Sequence, residues 1–564
     1  MNSMSYIAGD LKFTLHNDPF PIVQLLNTKT GKVFCQDGQL SVLIRVPSHV
    51  SDPHILVHPK KIAVQDDALY IELTDELQKE HAAIVIRSVN NELKFSMNVN
   101  CSEPVWIMEL KLSGFKLDEI VIPALGGHTL TKDMTIDTRL AYKYPFWWNA
   151  QFVLGMIGTD GIWIHTKDTD PKFKIFRIFK HEDDFELSLG FETDAPVIAR
   201  QLRAEWYLGS FEKDWHIPVD EHRKWLEKEY NLVQLNEHPG FQEWVKDFNF
   251  VLEIWGMRKD NHVPHHTFNE MINKITEWSS MHPPQNTLLY LAGFAEHGID
   301  SHAPNYDPSE ACGGEQEFIK LMNAAHDLGY KVMLHTNVLA MTFNHPLYEK
   351  LKKHQVKDVF GKLQGWAMDI DGDWLSEDYF AYINPGAEEW GDLMVEVIGK
   401  LINKYKADAV FLDQTLLAFN VEQGPNFLIG MREHIKRLQK TFPDTLFSGE
   451  GINEQVLPAL PMAQIHGIDG LADVHGMELS KRWKKAHPVS MYLFQKYTRF
   501  TAHLLTKHPT HPLFKIQEKA YDELNVIPAL CLYDNKQKIN IPEVHKMLER
   551  AKLLDFEQSF VTNK

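Results

Sequence analysis

Asp408-Ala-Val-Phe-Leu-Asp-Gln414 and, about one repeat further along, Leu446-Phe-Ser-Gly-Glu-Gly451 decide the fold. Ala409 to Leu412 is wholly apolar and then delivers Asp413; Leu446-Phe-Ser448 leads through Gly449 to Glu450. Runs this short and this apolar suit strands buried on both faces, as in a parallel sheet covered by helices. Outward from this pair, amphipathic stretches alternate with similar runs, giving eight strand candidates: Phe248 to Trp255, Thr287 to Phe294, Lys331 to Asn337, Ala409 to Gln414, Leu446 to Glu450, Gly467 to Val474, Val489 to Phe494 and Val526 to Tyr533. Eight βα units predict a (β/α)₈ TIM barrel over residues 244–564. An open doubly wound sheet is the rival. Its usual mark is a Gly-rich phosphate loop after the first strand, and Gly256-Met-Arg-Lys-Asp260 has no such pattern.

Upstream the rhythm has period two, as in Leu11-Lys-Phe-Thr-Leu15, Leu69-Tyr-Ile-Glu-Leu73 and Leu93-Lys-Phe-Ser-Met97. Frequent turn residues interrupt it, so residues 1–215 are expected to form an antiparallel β-sandwich domain preceding the barrel. A helical stretch from about Val219 to Tyr230 makes 216–243 a helical linker.

With 564 residues, 44% hydrophobic and 24% charged, the chain has the composition of a soluble globular protein of two domains or more. No apolar run of the length of a membrane span occurs. A net charge of −18 disfavours nucleic acid, whose binding rests on Lys and Arg, and leaves a neutral polymer as an allowed partner. Cys35, Cys101, Cys312 and Cys531 lack metal or disulfide spacing and read as buried thiols. The sequence shows no secretory signal, so a cytoplasmic location is expected unless a leader has been removed. Oligomeric state is not readable.

Barrels of this type carry their chemistry at the C-terminal ends of strands. Asp413 and Glu450 therefore fall on neighbouring strand ends of one face, where paired carboxylates can divide the work of retaining glycoside hydrolysis at a separation of about 5 to 5.5 Å. For either residue alone, a buried ion pair or a helix cap is the competing reading. Candidate sugar contacts come from other strand ends: Trp255, then His297 and Asp300, then His335 and Asn337, then Gln414, with Asp473 on the sixth unit. Directional donors and acceptors of this kind suit hydroxyl-rich ligands. Trp147 and Trp148 are candidate stacking platforms, with ordinary domain-interface core as the alternative. Asp369-Ile-Asp-Gly-Asp373 lacks the terminal Glu of a calcium loop and reads as a solvated loop. Neither His-x-His on the first strand nor HExxH occurs, so no metal and no cofactor is expected.

Ala325-His-Asp-Leu-Gly-Tyr-Lys-Val-Met-Leu-His-Thr-Asn337, Tyr382-Ile-Asn-Pro-Gly386, Asp408 to Gln414 and Phe447-Ser-Gly-Glu-Gly451 resemble, in order and strand placement, retaining α-glycosidase barrels. Both the α-amylase-type clan and the endo-α-N-acetylgalactosaminidases are similar. The resemblance implies that Asp413 is the nucleophile and Glu450 the acid/base. It implies hydrolysis of an α-linked sugar in an oligosaccharide, polysaccharide or glycoside, through a covalent glycosyl-enzyme. A transglycosylase of the same mechanism and a non-catalytic carbohydrate-binding protein remain alternatives. The amylase pattern also has an acidic residue near the seventh strand, which is missing after Tyr492-Leu-Phe494.

Overall fold

The computed structural model describes residues 3–17, 21–47, 54–124, 126–168, 170, 172–257, 263–365, 380–465, 482–503, 509, 512–554 and 556. The chain divides into two compact units: Met1–Glu229 with Ser480–Ser490, and Tyr230–Leu479 with Met491–Lys564.

The first unit is built from two large antiparallel sheets. The period-two runs lie where alternation puts them. Leu11, Phe13 and Leu15 are buried in the strand Leu11–Asn17, and Leu93, Phe95, Met97 and Val99 in Glu92–Asn100. These apolar faces meet in one core. The strand His54–Gln65 belongs to both sheets, pairing first with Val42–Arg45 and then with Ala68–Thr74, the second pairing shifting register between Pro59 and Lys61. A distant segment completes one edge: Lys484–Ala486 pairs with His128–Leu130. The helix His216–Tyr230 follows the last long strand, Gln201–Phe211.

The second unit holds an eight-stranded parallel sheet: β1 (Phe250–Trp255), β2 (Thr287–Ala292), β3 (Lys331–Asn337), β4 (Ala409–Asp413), β5 (Leu446–Glu450), β6 (Met462–Ile465), β7 (Arg499–Ala502) and β8 (Ala529–Leu532). Each strand pairs with the next up to β7, and β8 returns to β1. A parallel bridge from Thr501 to Ile527 joins the two remaining edges, so the sheet is a barrel. Every residue of β1 and β2 is buried, as a sheet wrapped by helices requires. Helices follow from equally local causes. α1 (Phe268–Ser279) starts in a capping box of Thr267 and Glu270 and buries Phe268, Met271, Ile275 and Trp278 on one stripe. α2 (Gly314–Leu328) ends at Gly329, whose φ of 99° needs no Cβ. α3 (Glu388–Tyr405) precedes β4, and α4 (Phe427–Thr441), capped by Asn426, precedes β5.

Six of the expected strands stand where the sequence places them; two need correction. Val489–Phe494 is helical, and the seventh strand is Arg499–Ala502. The sixth is Met462–Ile465, while the expected stretch 467–474, with Asp469 and Asp473, lies outside the described residues, as does 369–373. All four cysteines are buried free thiols, and burial pushes Cys35 and Cys312 up to about 12. Among the described residues, no helix is long and apolar enough to cross a membrane.

Candidate active site

Parallel pairing puts Asn337 of β3 level with Asp413 of β4, and Leu412 of β4 level with Gly449 of β5. Asp413 and Glu450 are therefore adjacent strand ends on the same rim, both only partly buried. Beyond Asp413 the chain turns sharply. Gln414 takes a φ of 64°, a left-handed conformation seldom adopted outside glycine. In that conformation its N–H donates to Glu450 Oε2 at 2.9 Å. The next side chain, Thr415, donates to the Glu450 carbonyl at 3.0 Å. Gly449 makes room for it: a Cβ there would lie 2.5 Å from Thr415 Oγ1.

Asn337 ties the carboxylates together. Its Oδ1 accepts from the N–H groups of Leu339 and Ala340, both at 2.9 Å. That fixes the amide orientation, and Nδ2 consequently faces three acceptors: Asp300 Oδ2 at 3.2 Å, Asp413 Oδ2 at 3.2 Å and Gln414 Oε1 at 3.1 Å. Asp300, at a φ of 57°, also faces His335 Nε2 at 3.1 Å. With Nε2–H given to that carboxylate, Nδ1 is the acceptor for the Tyr290 hydroxyl at 2.7 Å. Burial, reinforced by the surrounding carboxylates, holds the Tyr290 hydroxyl well above its ordinary range. Tyr306, raised by burial and by Asp300, accepts from the Asn337 N–H at 2.7 Å. Gln414 Nε2 donates to Tyr382 at 3.2 Å.

Beside this network Glu253 of β1 is buried, and burial raises its carboxyl. It accepts from the Trp255 indole N–H at 2.6 Å, and Trp255 stacks on Tyr533 after β8 with centroids 4.6 Å apart. The carboxylates of Asp300 and Asp413 and the His335 ring offer atoms within 4.8 Å of one another, close enough for a cation. The Asn337 amide, however, donates to both carboxylates, and a cation between them would have to displace that donor. Hydrogen bonding accounts for the cluster as it stands.

Fold comparison brings this geometry beside characterised proteins. An α-N-acetylgalactosaminidase, NagBb of Bifidobacterium bifidum in its GalNAc complex, superposes with a TM-score of 0.70 at 12% identity, over 99% of this chain and 93% of that one. Its Gal-NHAc-DNJ complex gives 0.71 over the same shares, again at 12% identity. The GH36 α-galactosidase AgaA of Geobacillus stearothermophilus reaches 0.47 at 10% identity, over 99% of this chain and 86% of that one. The two units thus share the fold of NagBb. Residues 201–478 match the model of a domain of unknown function, DUF6259. No curated protein matches the sequence.

Of the residues singled out from sequence, Asp300, His335, Asn337, Asp413, Gln414 and Glu450 form one connected group, with Trp255 anchored on Glu253. His297 is exposed, its ring edge-on to His302 at 4.6 Å, and no described bond joins it to the group. Trp147 and Trp148 belong to the first unit and are 1% exposed; Trp148 is part of that unit's hydrophobic core and donates to the Phe152 carbonyl. Tyr290, Tyr306, Tyr382 and Glu253 were not singled out. Glu253 had a readable signal, a lone acid inside the apolar run Phe250-Val-Leu-Glu-Ile-Trp255.

Proposed function

We propose that the protein is a retaining glycoside hydrolase acting on an α-linked sugar, with Asp413 as nucleophile and Glu450 as acid/base. The observation that carries the reading is the placement of two partly buried carboxylates on adjacent parallel strand ends, each oriented by a neighbour: Asp413 by the Asn337 amide, Glu450 by the Gln414 N–H. Asp413 attacks the anomeric carbon as the bond to the leaving oxygen breaks, and Glu450 gives that oxygen its proton. Glu450, now ionised, takes a proton from water, which displaces Asp413 from the sugar. Asp300, His335, Trp255 and the Tyr382 hydroxyl supply the polar and aromatic surface that a sugar ring requires. The α configuration rests on the likeness to NagBb, whose complexes carry GalNAc and Gal-NHAc-DNJ.

The test is a panel of nitrophenyl α- and β-glycosides of galactose, glucose and N-acetylgalactosamine, with the anomer of the first-formed sugar read by NMR. Turnover of an α-glycoside with an α product is expected. A β product would mean inversion, and a panel without turnover would favour the non-catalytic binding reading. Glu450→Ala should still be glycosylated by a dinitrophenyl glycoside and then stall, since nothing deprotonates the incoming water. Azide should restore turnover and yield an azide of the substrate's anomeric configuration. Azide rescue of Asp413→Gly in its place would reverse the two roles.

A further inference from the structure

The first unit contains a cavity of about 330 Å³ that the barrel chemistry does not use, a volume near the lower end, ~300 Å³, of small-ligand sites. Its apolar wall is Trp163, Phe211 and Ile217; its polar wall includes Asn90, Asn91, Glu92, Lys167 and Ser210. The wall is rigidly built. Trp163 stacks on His165 at a centroid distance of 3.7 Å, and His165 stacks on Tyr207 at 5.3 Å. Burial drives His165 down to about 4, so at neutral pH the ring is uncharged and its Nε2–H donates to Glu92 Oε1 at 3.0 Å. Gly209 lets the parts converge. A Cβ there would lie 2.0 Å from Trp163 Nε1 and 2.8 Å from Glu92 Oε1, so the indole edge and the carboxylate meet at one point.

What these groups leave unused identifies the ligand class. Among the described residues, the Trp163 indole N–H, Glu92 Oε2, the side-chain amides of Asn90 and Asn91 and the Ser210 hydroxyl have no hydrogen-bond partner. The two asparagines form the turn between His81–Val89 and Glu92–Asn100, with φ of 50° and 66°, and both are exposed where they line the cavity. Donors and acceptors thus stand side by side over an apolar floor. A sugar hydroxyl both donates and accepts, and a sugar ring carries apolar C–H faces. Lys167, whose Nζ lies 5.4 Å from the Trp163 ring centroid, lines the cavity together with Glu92 and Glu221, so the wall presents charges of both signs and selects neither an anion nor a cation. We propose that this cavity is a second saccharide site, taking one or two neutral hexose units of a glycan independently of the barrel.

The experiment follows the indole N–H resonance of Trp163 in the full chain, identified by its loss in Trp163→Phe. Galactose, N-acetylgalactosamine and maltose are titrated to roughly 100 mM, enough to saturate a millimolar site. At least one sugar should shift the resonance saturably. Ile217, 51% exposed, provides a variant that leaves the core intact: Ile217→Trp fills the mouth and should weaken that binding tenfold or more, with barrel turnover unchanged. Absence of a shift with all three sugars overturns the proposal. So does binding that Ile217→Trp does not weaken, or a shift given only by an anionic probe such as glucose 6-phosphate. Because the readout is Trp163 and not turnover, failure here is distinguishable from failure of the hydrolase reading.

Discussion

Glu109 in the first unit and Asp413 in the barrel are both acids in ordered surroundings, and the bonds described for them differ in kind. Glu109, 1% exposed, faces Arg45 at 2.5 Å and Arg177 at 3.2 Å, with Ser188 donating at 2.8 Å. Its charge is compensated within the protein, and the arrangement is complete. Asp413 receives an amide hydrogen from Asn337, and Glu450 a backbone N–H from Gln414. Such neutral donors orient a carboxylate while cancelling little of its charge, so it can still attack or accept a proton. Ion-pair compensation fits a structural role for Glu109, and donors such as the Asn337 amide and the Gln414 N–H fit the chemical roles proposed for Asp413 and Glu450.

The sharpest break of this comparison exchanges each acid for its amide. Asp413→Asn should lower kcat/KM by at least about 10³, near 4 kcal/mol of transition-state stabilisation, and leave the urea midpoint close to wild type. Glu109→Gln should do the reverse. It strands two guanidinium groups and should cost about 3 kcal/mol of stability, with little change in turnover by the molecules that remain folded. If Asp413→Asn unfolds the barrel and Glu109→Gln silences the enzyme, orientation and compensation have been assigned to the wrong acids.

A smaller effect tests the two jobs of Asn337. Asn337→Ala removes the donor to Asp413 and the acceptor for Leu339 and Ala340 together. A loss of about 10² in kcat/KM and of about 1 kcal/mol in stability is expected. Asn337→Asp keeps the acceptor but sets a third carboxylate beside Asp300 and Asp413 in place of the donor, so activity should fall at least as far and stability should not recover. Recovery of both would show that the amide hydrogen on Asp413 carries no weight.

The fold was legible where local pattern and burial agree. Alternation marked the first unit, and short apolar runs marked β1 to β5, those of β3 to β5 ending in polar residues. The errors have physical causes. Val489-Ser-Met-Tyr-Leu-Phe494 is apolar enough for either a strand or a helix, and periodicity cannot decide over six residues. The true seventh strand opens on Arg499, a charge that disguises it. In the fold that guanidinium donates to the Phe248 carbonyl at 2.8 Å and lies over the Phe248 and Phe556 rings, partners remote in sequence. Remote pairing also hides Lys484–Ala486, which reads as barrel by position and completes a sheet of the first unit. At the candidate site, strand-end position located Asp413, Glu450, His335 and Asn337. Tyr306 comes from a loop and Tyr382 from the short strand Phe380–Tyr382 outside the barrel sheet, and only the folded chain sets their approach to the rim.

One buried histidine in each unit extends the comparison to acid stability. His165 and His434 are 1% and 3% exposed, and burial lowers both to about 4. His165 has Glu92 pulling against that shift; His434, on α4, has Arg437 adding to it, and among the described residues neither of its ring nitrogens has a hydrogen-bond partner. The folded pKa lies below the unfolded value of about 6.5, so the unfolded chain takes the proton first. Stability from each neutral ring is therefore complete above about pH 6.5 and is lost as pH falls toward 4. At pH 5 the linkage amounts to about 2 kcal/mol per ring. His434→Leu removes a titrating group without breaking a described bond. Its urea midpoint should fall less than the wild-type midpoint between pH 7 and pH 5, by about that 2 kcal/mol. His165→Leu also removes a titrating ring, but it strands Glu92 and should lower stability already at pH 7, where protonation of His165 contributes almost nothing. Equal pH dependence in wild type and His434→Leu would show that the His434 ring is already charged in the folded barrel, with a partner that compensates it.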